Sequence, residues 1–256
     1  MVLVSYNILD GGVGRAEPIA DFVASRKPDI VVLVEADDAA VVEYIASRLG
    51  MDVAIGRGLR HAIAVLSSSE IRQSIDHGQL DRSFEGCFLE ATIRPSSGNE
   101  IVIAGLHLNA RARESDECRR EQQVDVILSR LDRHRKDGRP HLLCGDLNSN
   151  SPVQKIDPAK CKPRTGEDWA ANGGSIPRRV IAKLLAAGYV DTLYHCDPEM
   201  ASTLGSFTTK HPGQRIDYVL THSIDPGRIT AAWIDRDRLA EHASDHFPVG
   251  VRIEWE

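Results

Sequence analysis

The stretch His141-Leu142-Leu143-Cys144-Gly145-Asp146-Leu147-Asn148 runs from apolar residues into a carboxylate and a carboxamide. It reads as a buried strand with a reactive C-terminal tip. Asp146 and Asn148 are two apart, so extended backbone places both side chains on one face. A carboxylate in that position binds a hard cation or takes a proton from water. An amide beside it holds a phosphoryl oxygen without adding negative charge.

The same hand-off recurs along the chain. Ile30-Val31-Val32-Leu33-Val34 is a continuous apolar run ending at Glu35, the pattern of a strand covered on both faces. Residues 2–8 read as a strand through Asn7, and residues 101–107 as one ending in His107. Further short β-prone runs cover 52–55, 62–67, 87–94, 216–220, 229–234 and 249–253. Helical spacing covers 17–25, 38–49 closed by Gly50, 115–135 with a Val124, Ile127, Leu128 and Leu131 stripe, and 178–187 closed by Gly188. The outer face of 115–135, dense in Arg and Glu, reads mostly as solvated surface. Residues 149–175, rich in Pro, Lys, Gly and Asn, read as a long loop, and loops of that length are functional or mobile. Helices interleaved with strands in both halves imply an α/β fold, with two packed sheets and helices outside, as a single domain over 1–256.

Bulk properties narrow the function. The chain has 256 residues, 42% hydrophobic and 27% charged, enough for a substantial soluble core. A net charge of −6 weighs against an extended basic footprint for duplex DNA, but not against a small phosphorylated substrate or a local basic patch. Five cysteines, Cys87, Cys118, Cys144, Cys161 and Cys196, form no CxxC pair. They read as reduced thiols in a cytoplasmic protein, with Cys144 a packing residue. No leader is expected at the start of the chain, and no apolar run reaches the ~20 residues that span a bilayer.

The polar residues at strand tips each have an ordinary explanation. Asn7 suits a turn, Glu35 a helix start, and His107 a structural histidine. Asp217 suits a salt bridge, and Ser244-Asp245 a turn before Phe247-Pro248. Their joint occurrence is harder to explain that way, because polar sites are built where several strands end together. Carboxylates at Glu35, Asp146 and Asp245 suit Mg²⁺ or Mn²⁺. Amides at Asn7 and Asn148 orient ligands, and His107 and His246 move protons or stabilise charge.

These residues carry a resemblance. Six motifs stand in order: the strand ending in Tyr6-Asn7, Val-Leu-Val-Glu35, Gly105-Leu106-His107-Leu108, Gly145-Asp146-Leu147-Asn148, Arg215-Ile216-Asp217-Tyr218, and Ser244-Asp245-His246-Phe247-Pro248-Val249. The chain resembles the endonuclease/exonuclease/phosphatase superfamily, metal-dependent hydrolases similar to deoxyribonuclease I. The resemblance implies a four-layer α/β sandwich, two mixed β-sheets face to face with helices outside. It implies that Glu35 is the main metal ligand with Asn7 beside it, and that Asp245 contributes to a metal site. Asp146 orients or deprotonates the attacking water, and Asn148 holds the phosphate. His246 contacts a phosphate oxygen or serves as base, with Asp217 fixing its ring, and His107 lies near the leaving group.

The implied reaction is in-line attack of water on a phosphodiester, in a nuclease-like enzyme dependent on Mg²⁺ or Mn²⁺. Phosphomonoesters and phospholipid or phosphoinositide diesters are the alternative substrates within the same fold. The number of metals, and the choice between Asp146 and His246 as base, stay open. Abasic-site endonucleases of this superfamily carry a Tyr-x-Pro-Asn type segment where this chain has Leu-His-Leu, which points away from that repair role. Arg57, Arg60, Arg111 and Arg113, in loops near site strands, are candidates for a second phosphate or an acidic leaving group, with solubility the competing explanation. The expected partner is a phosphate ester, with nucleic acid or nucleotide included, bound by a monomer. A catalytically silent binding domain is the competing class, and the complete set of competent residues argues against it. A zinc hydrolase is disfavoured by scattered histidines and a preponderance of oxygen ligands.

Overall fold

The computed structural model describes residues 1–81, 84–95 and 98–255. The first sheet is built from β1 (Val2–Asn7), β2 (Ile30–Val34), β3 (Asp52–Arg57) and β4 (Ala62–Ser67), completed by two late strands. The second takes β5 (Glu70–Asp76), β6 (Cys87–Arg94), β7 (Ile101–His107), β8 (His141–Asp146), β9 (Val190–Asp191) and β10 (Asp217–His222). The late strands of the first sheet are β11 (Ile229–Ile234) and β12 (Val249–Ile253). Spatial order is β11-β12-β1-β2-β4-β3 in one sheet and β5-β6-β7-β8-β10-β9 in the other. Ten α-helices accompany them among the described residues: α1 (Ala16–Ser25), α2 (Ala39–Leu49), α3 (His77–Leu80), α4 (Glu114–Arg130), α5 (Asp132–Lys136), α6 (Pro163–Ala171), α7 (Arg179–Ala186), α8 (Thr192–Cys196), α9 (Pro198–Thr203) and α10 (Arg238–Ala243).

The layers follow from side-chain alternation. In β2, Val32 and Val34 enter the core between the sheets, where Leu142 and Cys144 of β8 also lie. Val31 and Leu33 of the same strand face outward onto Ile19, Phe22, Val42 and Ile45 of α1 and α2. On the other side, Leu143, Ala104 and Leu106 pack outward onto Val124, Ile127, Val180 and Leu184 of α4 and α7. A strand buried on both faces reads as an unbroken apolar run, and each such side chain contributes about 1.5–3 kcal/mol. The four-layer α/β sandwich expected from the sequence is the fold observed.

Each sheet has one parallel pair at its centre, β1 with β2 and β7 with β8. Parallel strands end at the same edge, so Asn7 and Glu35 emerge together, as do His107 and Asp146. Beside them β10 and β12 run antiparallel and begin at that edge. Asp217 lies directly opposite Asp146 in the register, and so does His107.

Several elements depart from the sequence reading. The helix expected over 115–135 is two, broken at Leu131. The stretch 149–175 contains α6, started by Pro163 at its first turn. Strand β5 was not anticipated because its seven residues are mostly polar and exposed, and α3, β9 and α8 to α10 were not because they are too short to show an apolar period. The face of α4 read as solvated is partly buried, with Glu117, Arg120 and Gln123 inside. All five cysteines are free. No helix among the described residues is long and apolar enough to cross a membrane.

Two details of the fold give measurable consequences. Gly145 has φ 137°, and a Cβ there would lie 2.0 Å from the carbonyl oxygen of Leu106 on the paired strand. Gly145→Ala is expected to destabilise the protein by about 3 kcal/mol or more, read as a lower urea midpoint. An unchanged midpoint would mean that β7 and β8 do not approach as described. The second detail is Glu90 on β6, which accepts from His77 at 2.9 Å, His134 at 3.0 Å and Arg133 at 2.6 Å. Burial raises its proton affinity, but these three donors outweigh burial and hold the carboxyl down at about 2. A depressed carboxylate stabilises the fold above its unfolded value and loses that contribution as pH falls toward 2. Glu90→Gln should therefore cost about 2–3 kcal/mol at pH 7 and flatten the loss of stability between pH 4.5 and 2. Parallel stability curves for both proteins across that range would contradict it.

Candidate active site

Residues from both sheets converge at the shared edge. His246, just before β12, donates from Nδ1 to Asp217 Oδ2 of β10 at 2.9 Å. Its Nε2 lies 3.8 Å from Asp146 Oδ2 and 3.9 Å from Asp245 Oδ1. His107 Nε2 approaches the same Asp146 oxygen, also at 3.8 Å. Asn7 Nδ2 donates to Glu35 Oε1 at 3.1 Å and to Asp146 Oδ2 at 3.3 Å. Asp146 Oδ2 is thus ringed by an amide and two imidazoles.

Backbone geometry presents these groups. Glu35 has φ 57° and Asn148 φ 49°, left-handed conformations that turn the chain sharply as each strand ends. Such positions cost about 1–3 kcal/mol for a side-chain-bearing residue and persist only where surroundings enforce them. Around Glu35, Gly11 N donates to its carbonyl and Ala36 N to Ala62 O. Asn148 is fixed by its own N–H on Asp146 Oδ1 at 2.9 Å and by Nδ2 on the carbonyl of Leu108 at 3.1 Å. One amide hydrogen and the amide oxygen of Asn148 have no part in those two bonds.

The charges are strongly perturbed. Burial, reinforced by the Asp217 charge, pushes Asp146 up to about 8. Burial works against a charged His246, but the charge and hydrogen bond of Asp217, with Asp146 and Asp245, hold it up at about 10. Burial dominates at His107 and pulls it down to about 4, with the Glu35 charge opposing. Glu35 is held below its ordinary range although burial opposes this, because hydrogen bonds from Asp10 N–H and Asn7 favour the anion. A neutral and a charged imidazole on either side of one carboxylate is the kind of split that acid–base chemistry uses.

Glu35, His107, Asp146, Asn148, Asp245 and His246 line a cleft of about 530 Å³, together with Leu59, Arg60, His61, Asn109, Arg111, Arg119 and Phe207. Of the four arginines singled out in the sequence, Arg60 and Arg111 line this cleft. Arg57 lies outside its lining, with its backbone N–H on Asp76 at 2.7 Å, and Arg113 is turned to Asp168 at 3.1 Å. His61 was missed. It is held by Asp37 at 2.8 Å and its ring lies 5.2 Å from that of His107. Phe207, whose ring lies 4.6 Å from that of His246, was missed as well. Neither stands at the end of an apolar run, so no pattern marked them.

Among the described residues, Asp146, Asp217 and His246 place potential ligand atoms within 4.8 Å of one another. Within this trio, His246 Nδ1 is hydrogen-bonded to Asp217 Oδ2 at 2.9 Å, while His246 Nε2 stays 3.8 Å from Asp146 Oδ2. The oxygens of Glu35 and Asp245 lie at the cleft side of this group, and Asp245 Oδ1 is buried with no hydrogen-bond partner. A buried carboxylate oxygen without a donor is costly unless a cation or water meets it.

No curated protein matches the chain at the level of sequence. Solved structures do match. An AP endonuclease from Archaeoglobus fulgidus superposes with TM-score 0.77 at 20% identity, covering 100% of both chains. A 3′ phosphatase from Neisseria bound to a product DNA hairpin gives 0.72 at 20% identity, also over 100% of both. A TDP2 from D. rerio complexed with a single strand DNA product gives 0.67 at 17%, over 100% of this chain and 99% of that one. At these identities the likeness shows the shared fold. The model of the Endonuclease/Exonuclease/phosphatase family matches residues 4–246, and the chain belongs to this family of hydrolytic phosphoesterases.

Proposed function

We propose that the protein hydrolyses a phosphodiester, in a nuclease-like reaction, by in-line attack of an activated water supported by Mg²⁺ or Mn²⁺. The observation that carries this reading is Asp146 Oδ2, approached at 3.8 Å by His107 and by His246, whose ring is held by Asp217 at 2.9 Å. A carboxyl group whose proton affinity lies near neutral pH, close to one neutral and one cationic imidazole, suits a reaction in which water loses a proton as a phosphoryl group gains charge.

The donor set fits a hard divalent cation. Glu35 and Asp245 would hold it, with Asn7 beside Glu35. Asp245 Oδ1, which accepts no hydrogen bond and has His246 Nε2 at 3.9 Å, and the anionic character of Glu35 support that assignment. When bound, such an ion neutralises charge on phosphoryl oxygens and lowers the proton affinity of nearby carboxylates.

The chain's own residues do the rest. Asp146 orients the water and takes its proton, acting with His246 as one coupled pair. Asp217 keeps His246 cationic and aimed, so that Nε2 meets a non-bridging phosphoryl oxygen. His107, neutral near pH 7, hydrogen-bonds an oxygen on the leaving-group side. Asn148 offers its remaining amide hydrogen to the phosphate, and Arg60 and Arg111 meet further negative charge of the substrate. A nucleic acid strand or nucleotide is the substrate we favour. Two structural neighbours bound to DNA products, and the arginines at the rim, support that choice. The free cysteines support a reducing, cytoplasmic setting for a monomeric enzyme.

The test is a panel of phosphodiesters and phosphomonoesters assayed with Mg²⁺, with Mn²⁺ and with EDTA. Diester turnover is expected with either metal and not with EDTA. His246→Ala and Asp146→Asn should each lower kcat by about 10²–10⁴-fold, with smaller changes in KM. Turnover of monoesters alone would replace the nuclease reading with a phosphatase. The same background rate in wild type and both variants, with and without EDTA, would leave a silent binding domain.

A further inference from the structure

Glu117 and Arg120 stand one turn apart on α4, paired at 2.9 Å and 0% and 1% exposed. Burying two charges costs several kcal/mol each, so such a pair persists only where hydrogen bonds satisfy it. Here those bonds go to segments that border the cleft. Arg120 Nη1 donates to the carbonyls of Asn109 and Arg111, both at 2.7 Å. One turn further, Gln123 Oε1 accepts from Asn109 N at 3.0 Å. Glu117 Oε1 accepts from Ser149 Oγ at 2.9 Å and from Val180 N at 3.0 Å. Ser149 follows Asn148 directly, and Val180 lies in the first turn of α7. One carboxylate therefore fastens both ends of the excursion between β8 and α7. Arg111, whose own carbonyl is one of the two anchors, lines both the cleft and a flanking recess shared with Lys162 and Arg164, and is held at φ 84°.

We propose that the Glu117–Arg120 pair is the positioning device of the cleft. Arg120 holds the loop that presents Arg111, and Glu117 holds the turn that presents Asn148. Neither touches a reacting atom, so both are positioning residues. A guanidinium is needed because its fork serves two carbonyls and a carboxylate at once, which a single ammonium cannot do in the same geometry. The kinetic consequence rests on the phosphoesterase reading, and the structural consequence does not.

The experiment compares the full-length wild type, Arg120→Lys and Ser149→Ala by amide hydrogen exchange, and by turnover of bis(4-nitrophenyl) phosphate with Mg²⁺. In Arg120→Lys, exchange at 109–112 and 147–150 should quicken by about tenfold or more while β1, β2 and β7 keep wild-type rates. Its kcat/KM should fall about 10- to 100-fold. Arg111→Ala should cost less in the Arg120→Lys background than in wild type, because the two act through one loop. Uniformly faster exchange through the core strands, or additive losses for the two substitutions, would reduce the pair to a source of global stability and overturn the proposal. Unchanged exchange at both loops would overturn it too. If Arg120→Lys does not fold, Ser149→Ala, which removes one bond to Glu117, carries the exchange test at 147–150. If the wild type turns over nothing, the hydrolase reading fails, and the exchange data still decide the positioning role.

Discussion

Asp217 stands on one sheet and His246 leads into a strand of the other, and the 2.9 Å bond between them joins the two sheets where their apolar core stops. Asn7 repeats the crossing in the opposite sense, reaching from the first sheet to Asp146 on the second at 3.3 Å. Buried polar groups must be satisfied, and here each satisfies another across the sandwich. Inter-sheet spacing, set by the packing of residues such as Val32, Val34, Leu142 and Cys144, therefore sets the distances of the chemistry. A core that thickened or slipped would pull the imidazole from its carboxylate.

The site concentrates strained backbone and buried charge. Glu35, Arg111 and Asn148 all adopt left-handed backbone, and all three border the cleft. Asp146 and Asp217, opposed in register, are two acids almost excluded from water, with His246 as their shared counter-charge. Such an arrangement stores unfavourable energy that the surrounding apolar layers must offset.

Much of this was legible in the linear chain. Strands such as Ile30-Val31-Val32-Leu33-Val34 are apolar on both faces, so their burial and their ends could be read directly. The tips Asn7, Glu35, His107 and Asp146 followed from those ends. Short elements were not legible. Strand β9 has two residues and α8 five, too few to show a period, and they exist because neighbours hold them. The polar face of α4 misled for a different reason. Charge marks a solvated surface by default, and nothing local reveals that Glu117 and Arg120 satisfy each other and two loops.

The sequence by itself determined which segments are buried strands and which polar residues stand at their ends, because alternation and apolar runs depend only on neighbours along the chain. It also determined the family, since six motifs in order constrain the fold as a whole. Which of those polar residues meet was decided only by tertiary structure. The opposition of Asp217 and Asp146 is a matter of strand register. The Asp217–His246 bond depends on the distance between sheets. The arrival of His61 and Phe207 at the cleft, and the departure of Arg57, the last residue of β3, and of Arg113 from its lining, depend on how distant segments pack together. Contacts between residues far apart in sequence are fixed by packing and register, and neither quantity is written in any local pattern.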